Sequence, residues 1–256
     1  MNQPNPHFFI NSSISAERRI AFLPREGQSP TVVWLGGFRS DMRATKAEAL
    51  DRWAEKAGHA FLRFDYSGHG ESDGQFEDGT ISDWLSDAVE IILAKAGPAP
   101  VLVGSSMGGW ISLLAAQVLA ETPSAPSALV LIAPAVDFTD KLMWASMNAE
   151  NRREITENGK LMVPSAYGEP YAITRALIED GTRHNLFGAP ITPGCPVHIL
   201  QGMQDPDVPW QHAMELVEHL PGDATTVTLI KDGDHRLSRS QDIDLLIATV
   251  ERAVAR

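Results

Sequence analysis

From about residue 31 onward, short apolar runs alternate with longer stretches whose apolar residues recur every three to four positions. Strands buried on both faces read as continuous runs, and helices packed on one side show the 3.6-residue period. The spacing predicts buried strands over residues 31–35, 60–64, 100–103, 128–132, 197–200 and 226–230, with the more polar 18–23 as an edge strand. Crossover helices are predicted over 42–57, 81–96, 110–121, 211–220 and 242–255. Strand and helix in strict alternation give an α/β fold class, a mostly parallel sheet with helices on both faces. At 256 residues the whole chain, 1–256, reads as a single domain.

The rhythm breaks over about 137–193, where Pro164, Pro170, Pro190 and Pro193 interrupt polar helical stretches and no apolar strand is expected. This segment reads as a small helical cap inserted into the domain. It carries many large apolar side chains: Leu142, Met143, Trp144, Met147, Leu161, Met162, Tyr167, Tyr171 and Phe187. They suit the lining of a cleft, and equally an insertion that simply packs on the domain.

Composition narrows the functions available. With 43% hydrophobic and 21% charged residues the chain can bury a substantial core. Acidic residues outnumber basic ones, 33 to 21, and a net charge of −12 repels phosphates, so nucleic acid is not an expected partner. Cys195 stands alone, which excludes an internal disulfide. The N-terminal stretch lacks a basic segment followed by an apolar one, and nowhere do ~18 apolar residues run together. Neither export nor a membrane span is expected, and a cytoplasmic location is.

The chemistry centres on Gly104-Ser105-Ser106-Met107-Gly108, a G-x-S-x-G placed directly after an apolar strand and directly before a helix. Such a turn holds its serine in a strained conformation, lifts the hydroxyl clear of the sheet, and leaves no room for side chains at the flanking glycines. A turn that merely caps the helix is the plainer alternative. A serine hydroxyl needs a base, and of eight histidines His235 lies where the order Ser, acid, His puts it, in the loop after the last strand. His69, in a Gly-rich loop after an earlier strand, is its main rival. The acid should follow a strand between the two: Asp205 fits best, Asp207 is a second choice that could instead cap the loop, and Asp137 is a third. Its task is to hold the imidazole in the tautomer that accepts the serine proton. The backbone N–H groups of Met107 and of Phe38, after Gly36-Gly37, are placed to receive an oxyanion.

The segments Arg63-Phe64-Asp65-Tyr66-Ser67-Gly68, Ser72-Asp73-Gly74, Val103 to Trp110, Gly202-Met203, Val208-Pro209-Trp210 and Asp234-His235-Arg236 resemble the abhydrolase-domain palmitoyl-protein thioesterases of mitochondria, also acyl-glucuronide esterases. The resemblance runs through nearly the whole domain. It implies the α/β-hydrolase fold, cofactor-free cleavage of acyl esters or thioesters, and Ser106, Asp205 and His235 as the triad. An acylated protein is then a candidate substrate, and no metal is expected. Acyl-glucuronide cleavage would need polar groups, for which Arg39, Arg236, Arg152, Arg153 and Arg175 are loose candidates. The chain lacks an Arg-rich, acid-poor leader ahead of the domain, so the mitochondrial compartment is not expected to carry over. A general carboxylesterase or a non-catalytic binding protein of the same fold are the alternatives. Dinucleotide or nucleotide binding is not supported, since neither G-x-G-x-x-G spacing nor G-x-x-x-x-G-K-[ST] occurs.

Overall fold

Apolar residues on alternate sides of each strand demand cover on both faces of the sheet, and the architecture supplies it. The computed structural model describes residues 4–12, 17–165, 168–222 and 224–255. In chain order these form β1 (His7–Asn11), β2 (Arg18–Arg25), β3 (Gln28–Leu35), α1 (Thr45–Ala57), β4 (His59–Phe64), α2 (Ile81–Lys95), β5 (Val101–Ser105), α3 (Met107–Leu119) and β6 (Ala128–Ile132). After an excursion come β9 (Val197–Gly202), α6 (Trp210–His219), β10 (Thr225–Ile230) and α7 (Ser240–Val254). The sheet runs β1-β2-β4-β3-β5-β6-β9-β10. It is parallel from β4 to β10, and the two N-terminal strands pair antiparallel at one edge.

Period-2 alternation sorts the strand side chains between two cores. Val33, Leu35, Leu102, Leu129, Leu131 and Ile199 pack against α2, α3 and α6. Val32, Trp34, Val101, Val103, Val130 and Leu200 pack against α1 and α7 on the other face. Trp34, Trp84 and Trp110 are completely enclosed.

The excursion between β6 and β9 departs from the sequence-based expectation. Beside a π-helical turn (Thr139–Trp144), α4 (Ala149–Asn158) and α5 (Arg175–Thr182), it contains an antiparallel hairpin of β7 (Lys160–Ser165) and β8 (Gly168–Thr174). Pro164 and Pro170 argue against strands in a sequence, but each strand of a two-stranded ribbon is an edge, where a missing N–H costs no ladder bond. β1 also lies outside the expected strands, because its apolar run is only three residues, Phe8-Phe9-Ile10, of which Phe8 and Ile10 are exposed at the sheet edge. The helix predicted to begin at residue 110 starts at Met107, since the turn at Ser106 feeds it without a linker.

Candidate active site

β5 ends at Ser105, and the chain must reverse into α3 within one residue. Ser106 makes that turn at φ 55°, ψ −118°, a conformation that strains any residue with a Cβ and persists only where its surroundings enforce it. Three backbone bonds enforce it here. The Ser106 N–H donates to the Ile132 carbonyl at 2.8 Å, and the Ser106 carbonyl accepts from Gly109 at 2.9 Å and Ala135 at 3.1 Å. The helix then lies so close to β3 that a Cβ on Gly108 would overlap the carbonyl oxygens of Leu35 and Gly36.

Asp205 and His235 stand on the loops after β9 and β10, at the same carboxyl edge of the sheet as Ser106. The structure joins them directly: His235 Nδ1 and Asp205 Oδ2 are 2.8 Å apart, with the Asp205 side chain enclosed and the imidazole partly open. Asp205 is held in turn by the Asp207 and Val208 N–H groups, both donating to Oδ1 at 2.8 Å. Gln201 Nε2 donates to Oδ2 at 3.3 Å and to the Gly202 and Val208 carbonyls at 3.0 Å. Gln201 belongs to the site and no sequence signal singled it out; buried at the end of β9, it looks like any strand residue until its loop is seen.

The rivals have other employment. Asp207 is exposed and contributes its N–H, so the carboxylate on His235 Nδ1 is Asp205. Asp137 accepts from the Leu186 and Phe187 N–H groups at 2.8 and 2.9 Å and fastens the end of the excursion. His69 is buried; its Nε2 accepts the Arg39 N–H at 3.2 Å, so Nδ1 carries the proton toward the Ser67 carbonyl at 3.2 Å. Burial holds its pKa down to about 4, and no carboxylate orients it. The oxygens of Asp205 and Asp207 and a ring nitrogen of His235 lie within 4.8 Å of one another, a spacing a metal could use. The Asp205 oxygens and His235 Nδ1 are nevertheless already saturated by hydrogen bonds.

Ser106 and His235 share no hydrogen bond among the described residues, but the loop after β10 folds back toward the serine. Leu237 packs with Ile132 and Leu200, the ends of β6 and β9, and Lys46 of α1 donates to the Arg236 carbonyl. Leu237 thus packs over β6 and β9, the strands that lie between β5 and β10. A serine–histidine hydrogen bond commonly tightens only with substrate bound.

Both expected oxyanion donors belong to peptides beside the turn. Met107 is the first residue of α3, so its N–H has no intrahelical acceptor. A Cβ on Gly37 would come within 3.3 Å of the Ser106 Cβ, which places the Gly37-Phe38 peptide against the serine. Aromatic rings surround this turn: Phe38 meets Phe76, Phe138, Tyr171 and Trp84 at 4.8, 5.5, 5.8 and 5.9 Å. Arg39 stacks on Tyr171 at 4.4 Å.

The large apolar residues of the excursion divide between roles. Met143, Trp144, Met147 and Leu161 close over a small core of Ile155, Ile173 and Ile178, and Met162 is exposed. Leu142 and Phe187 pack on the main core. Tyr171 alone among them reaches the oxyanion turn, and Tyr167 lies outside the described residues. Arg152 and Arg175 bond to carbonyls within the excursion itself.

Residues 32–249 match the alpha/beta hydrolase family. The mouse protein named palmitoyl-protein thioesterase ABHD10, mitochondrial, is 36% identical over 234 residues, covering 91% of this chain and 77% of the relative. A crystal structure of a putative hydrolase from Agrobacterium vitis S4 superposes with a TM-score of 0.92 at 48% identity, covering 98% of this chain and all of that one. Alpha/beta hydrolase domain-containing protein 10 from mouse superposes at 0.88 with 34% identity, covering 98% and 99% of the two chains. The mitochondrial designation of these curated relatives overturns the cytoplasmic location expected from the N-terminal sequence. Among the described residues no helix is long and apolar enough to cross a membrane.

Proposed function

We propose, from the premise that the chain belongs to the alpha/beta hydrolase family and is a hydrolase of carboxylic esters or thioesters, that it deacylates long-chain thioesters through an acyl-enzyme on Ser106. Ser106 Oγ attacks the acyl carbonyl while His235 Nε2 takes the hydroxyl proton. Asp205 fixes the tautomer through Nδ1 and stabilises the imidazolium. The Met107 and Phe38 N–H groups receive the developing oxyanion. His235 then protonates the departing thiolate or alkoxide, and a water activated by the same imidazole releases the acid. The observation that carries this reading is the 2.8 Å Asp205–His235 pair, set beside a serine at positive φ on the same sheet edge.

The aromatic surround of Phe38, Phe76, Phe138 and Tyr171 suits an acyl chain, and the curated relatives carry the name palmitoyl-protein thioesterase. An S-acylated protein is accordingly the substrate class. In this reading the chain is one hydrolase unit and the excursion at about 137–193 is its cap. Acyl-glucuronide cleavage would draw on Arg39, which stacks on Tyr171 beside Phe38.

An active-site serine probe should label the wild type and not Ser106→Ala. Ser106→Ala and His235→Ala should each abolish turnover, and Asp205→Asn should cost roughly 10⁴-fold by analogy with triad proteases. Asp207→Asn should cost far less. Turnover close to wild type in Ser106→Ala or His235→Ala would discard the mechanism. In a series of acyl thioesters, kcat/KM should rise with chain length by up to ~0.8 kcal/mol per buried methylene; a flat series would discard the acyl subsite.

A further inference from the structure

The placement of His235 depends on a loop that must cross back over the sheet, and its upstream half is well anchored. The Gln204 N–H donates to the Gly233 carbonyl at 2.8 Å, and the Gly233 N–H to the Ile230 carbonyl at 3.1 Å. Downstream of His235 a tie comes from a distant element. Lys46, the second residue of α1, extends its ammonium to the carbonyl of Arg236, a contact that spans 190 residues of sequence. Ser238 Oγ donates to the same oxygen at 2.9 Å, within the loop.

The half-buried lysine reaches that carbonyl along a largely apolar recess, lined by Ile132, Leu200, Leu237 and Leu246 together with the carboxylate-bearing Asp242. An ammonium in such surroundings costs free energy unless something demands it, because a methionine would fill the volume without desolvating a charge. The charged groups facing the ammonium are Asp234 and Arg236 of the loop and Asp242 of α7, and Asp242 is already gripped by Arg239 through bonds of 2.9 Å.

We propose that Lys46 is a positioning residue, which holds the loop carrying His235 over Ser106 by donating to the Arg236 carbonyl. The proposal rests on His235 being the base. Burial, reinforced by the Arg236 guanidinium, lowers the Lys46 pKa to about 8, with Asp234 and Asp242 opposing. Below that value the ammonium is intact. As pH rises through it the charge-assisted bond weakens to that of a neutral amine, and the loop loses part of its anchor.

The test uses the full chain, with nitrophenyl ester turnover measured from pH 6 to 10 and a melting curve for each variant. Lys46→Met should lower kcat by about 10- to 100-fold, the scale of a 1 Å misplacement of a reacting group, with KM little changed and the melting temperature no lower. Lys46→Arg keeps a donor that stays charged. It should retain most of the activity and lack the alkaline decline expected of the wild type, with a midpoint near 8. Two results would each overturn the proposal: Lys46→Met with kcat within twofold of wild type and the same alkaline decline, or a kcat loss in Lys46→Met that only follows a loss of folded protein. Failure of the underlying mechanism shows itself separately, as turnover surviving in Ser106→Ala or His235→Ala whatever residue occupies position 46.

Discussion

His69 illustrates how one buried side chain is settled by its neighbours. It is 3% exposed, wedged edge-on against Phe76 and Trp84 at 5.1 and 5.2 Å, and its neutral ring supports the Arg39 N–H beside the oxyanion turn. With a folded pKa of about 4 against 6.5 unfolded, the unfolded chain binds a proton that the native state refuses across that window. Stability from this site is therefore full above 6.5 and is lost as pH falls toward 4, by roughly 3 kcal/mol. Asp65 works in the opposite sense, because burial raises its carboxyl to about 6, so the native state gains stability as pH falls from 6 toward 3.8. Whole-protein stability thus mixes the two, and His69→Gln separates them. Between pH 7 and pH 4.5 the denaturation midpoint of the wild type should fall relative to that of His69→Gln. Parallel curves would show that His69 titrates alike in both states.

At the scale of elements, the junction of β5, α3 and β3 matters most. α3 sits against β3 with no space for a side chain at Gly108, and that contact aims the Met107 N–H and brings Gly37 to the serine. A methyl there can be accommodated only if the helix moves off the strand. Gly108→Ala should destabilise by about 1–3 kcal/mol or more, although alanine is the better helix former by ~1 kcal/mol. Turnover should fall further than the remaining folded fraction explains, because the Met107 and Phe38 N–H groups proposed as oxyanion donors would both shift. An alanine variant melting at or above the wild-type temperature would show that the close packing is not what the junction depends on.

For the molecule as a whole, the excursion must stay docked on a sheet to which it adds no strand. Asp180 of α5 provides one attachment: its oxygens accept the Ser82 N–H and hydroxyl, both at 2.8 Å, at the N-terminus of α2. A carboxylate at that end meets unsatisfied N–H groups and the positive end of the helix dipole. His184 Nε2 joins the same hydroxyl at 2.7 Å, and the Trp110 indole donates to the His184 carbonyl at 3.3 Å. Asp180→Ala removes the acceptor of the half-buried Ser82 N–H and leaves its hydroxyl with His184 alone, at a cost of about 1–3 kcal/mol. Limited proteolysis within residues 137–193 should accelerate in this variant while labelling of Ser106 by a small probe persists. An unchanged cleavage rate would mean that other contacts hold the excursion.

The sequence by itself determined the α/β class and the run of parallel strands, because hydrophobic period is a local property that burial on both faces of a sheet imposes on its interior strands. It also marked Ser106, Asp205 and His235, since a strand-turn-helix with flanking glycines and two loops at strand ends can be read from neighbours alone. The β7–β8 hairpin stayed hidden because its prolines sit in edge strands, and Tyr171 is not told apart from the other large residues of the excursion because its contact with Phe38 is made across the fold. Between Asp205, the first choice by position, and Asp207, two residues on, the tertiary structure pairs Asp205 with His235, because burial and the approach of the ring separate chemically identical side chains. Gln201 and Lys46 likewise acquire their partners from loops that arrive from elsewhere in the chain. Pairings of that kind depend on where the packed sheet brings its loop ends, and no stretch of local pattern encodes them.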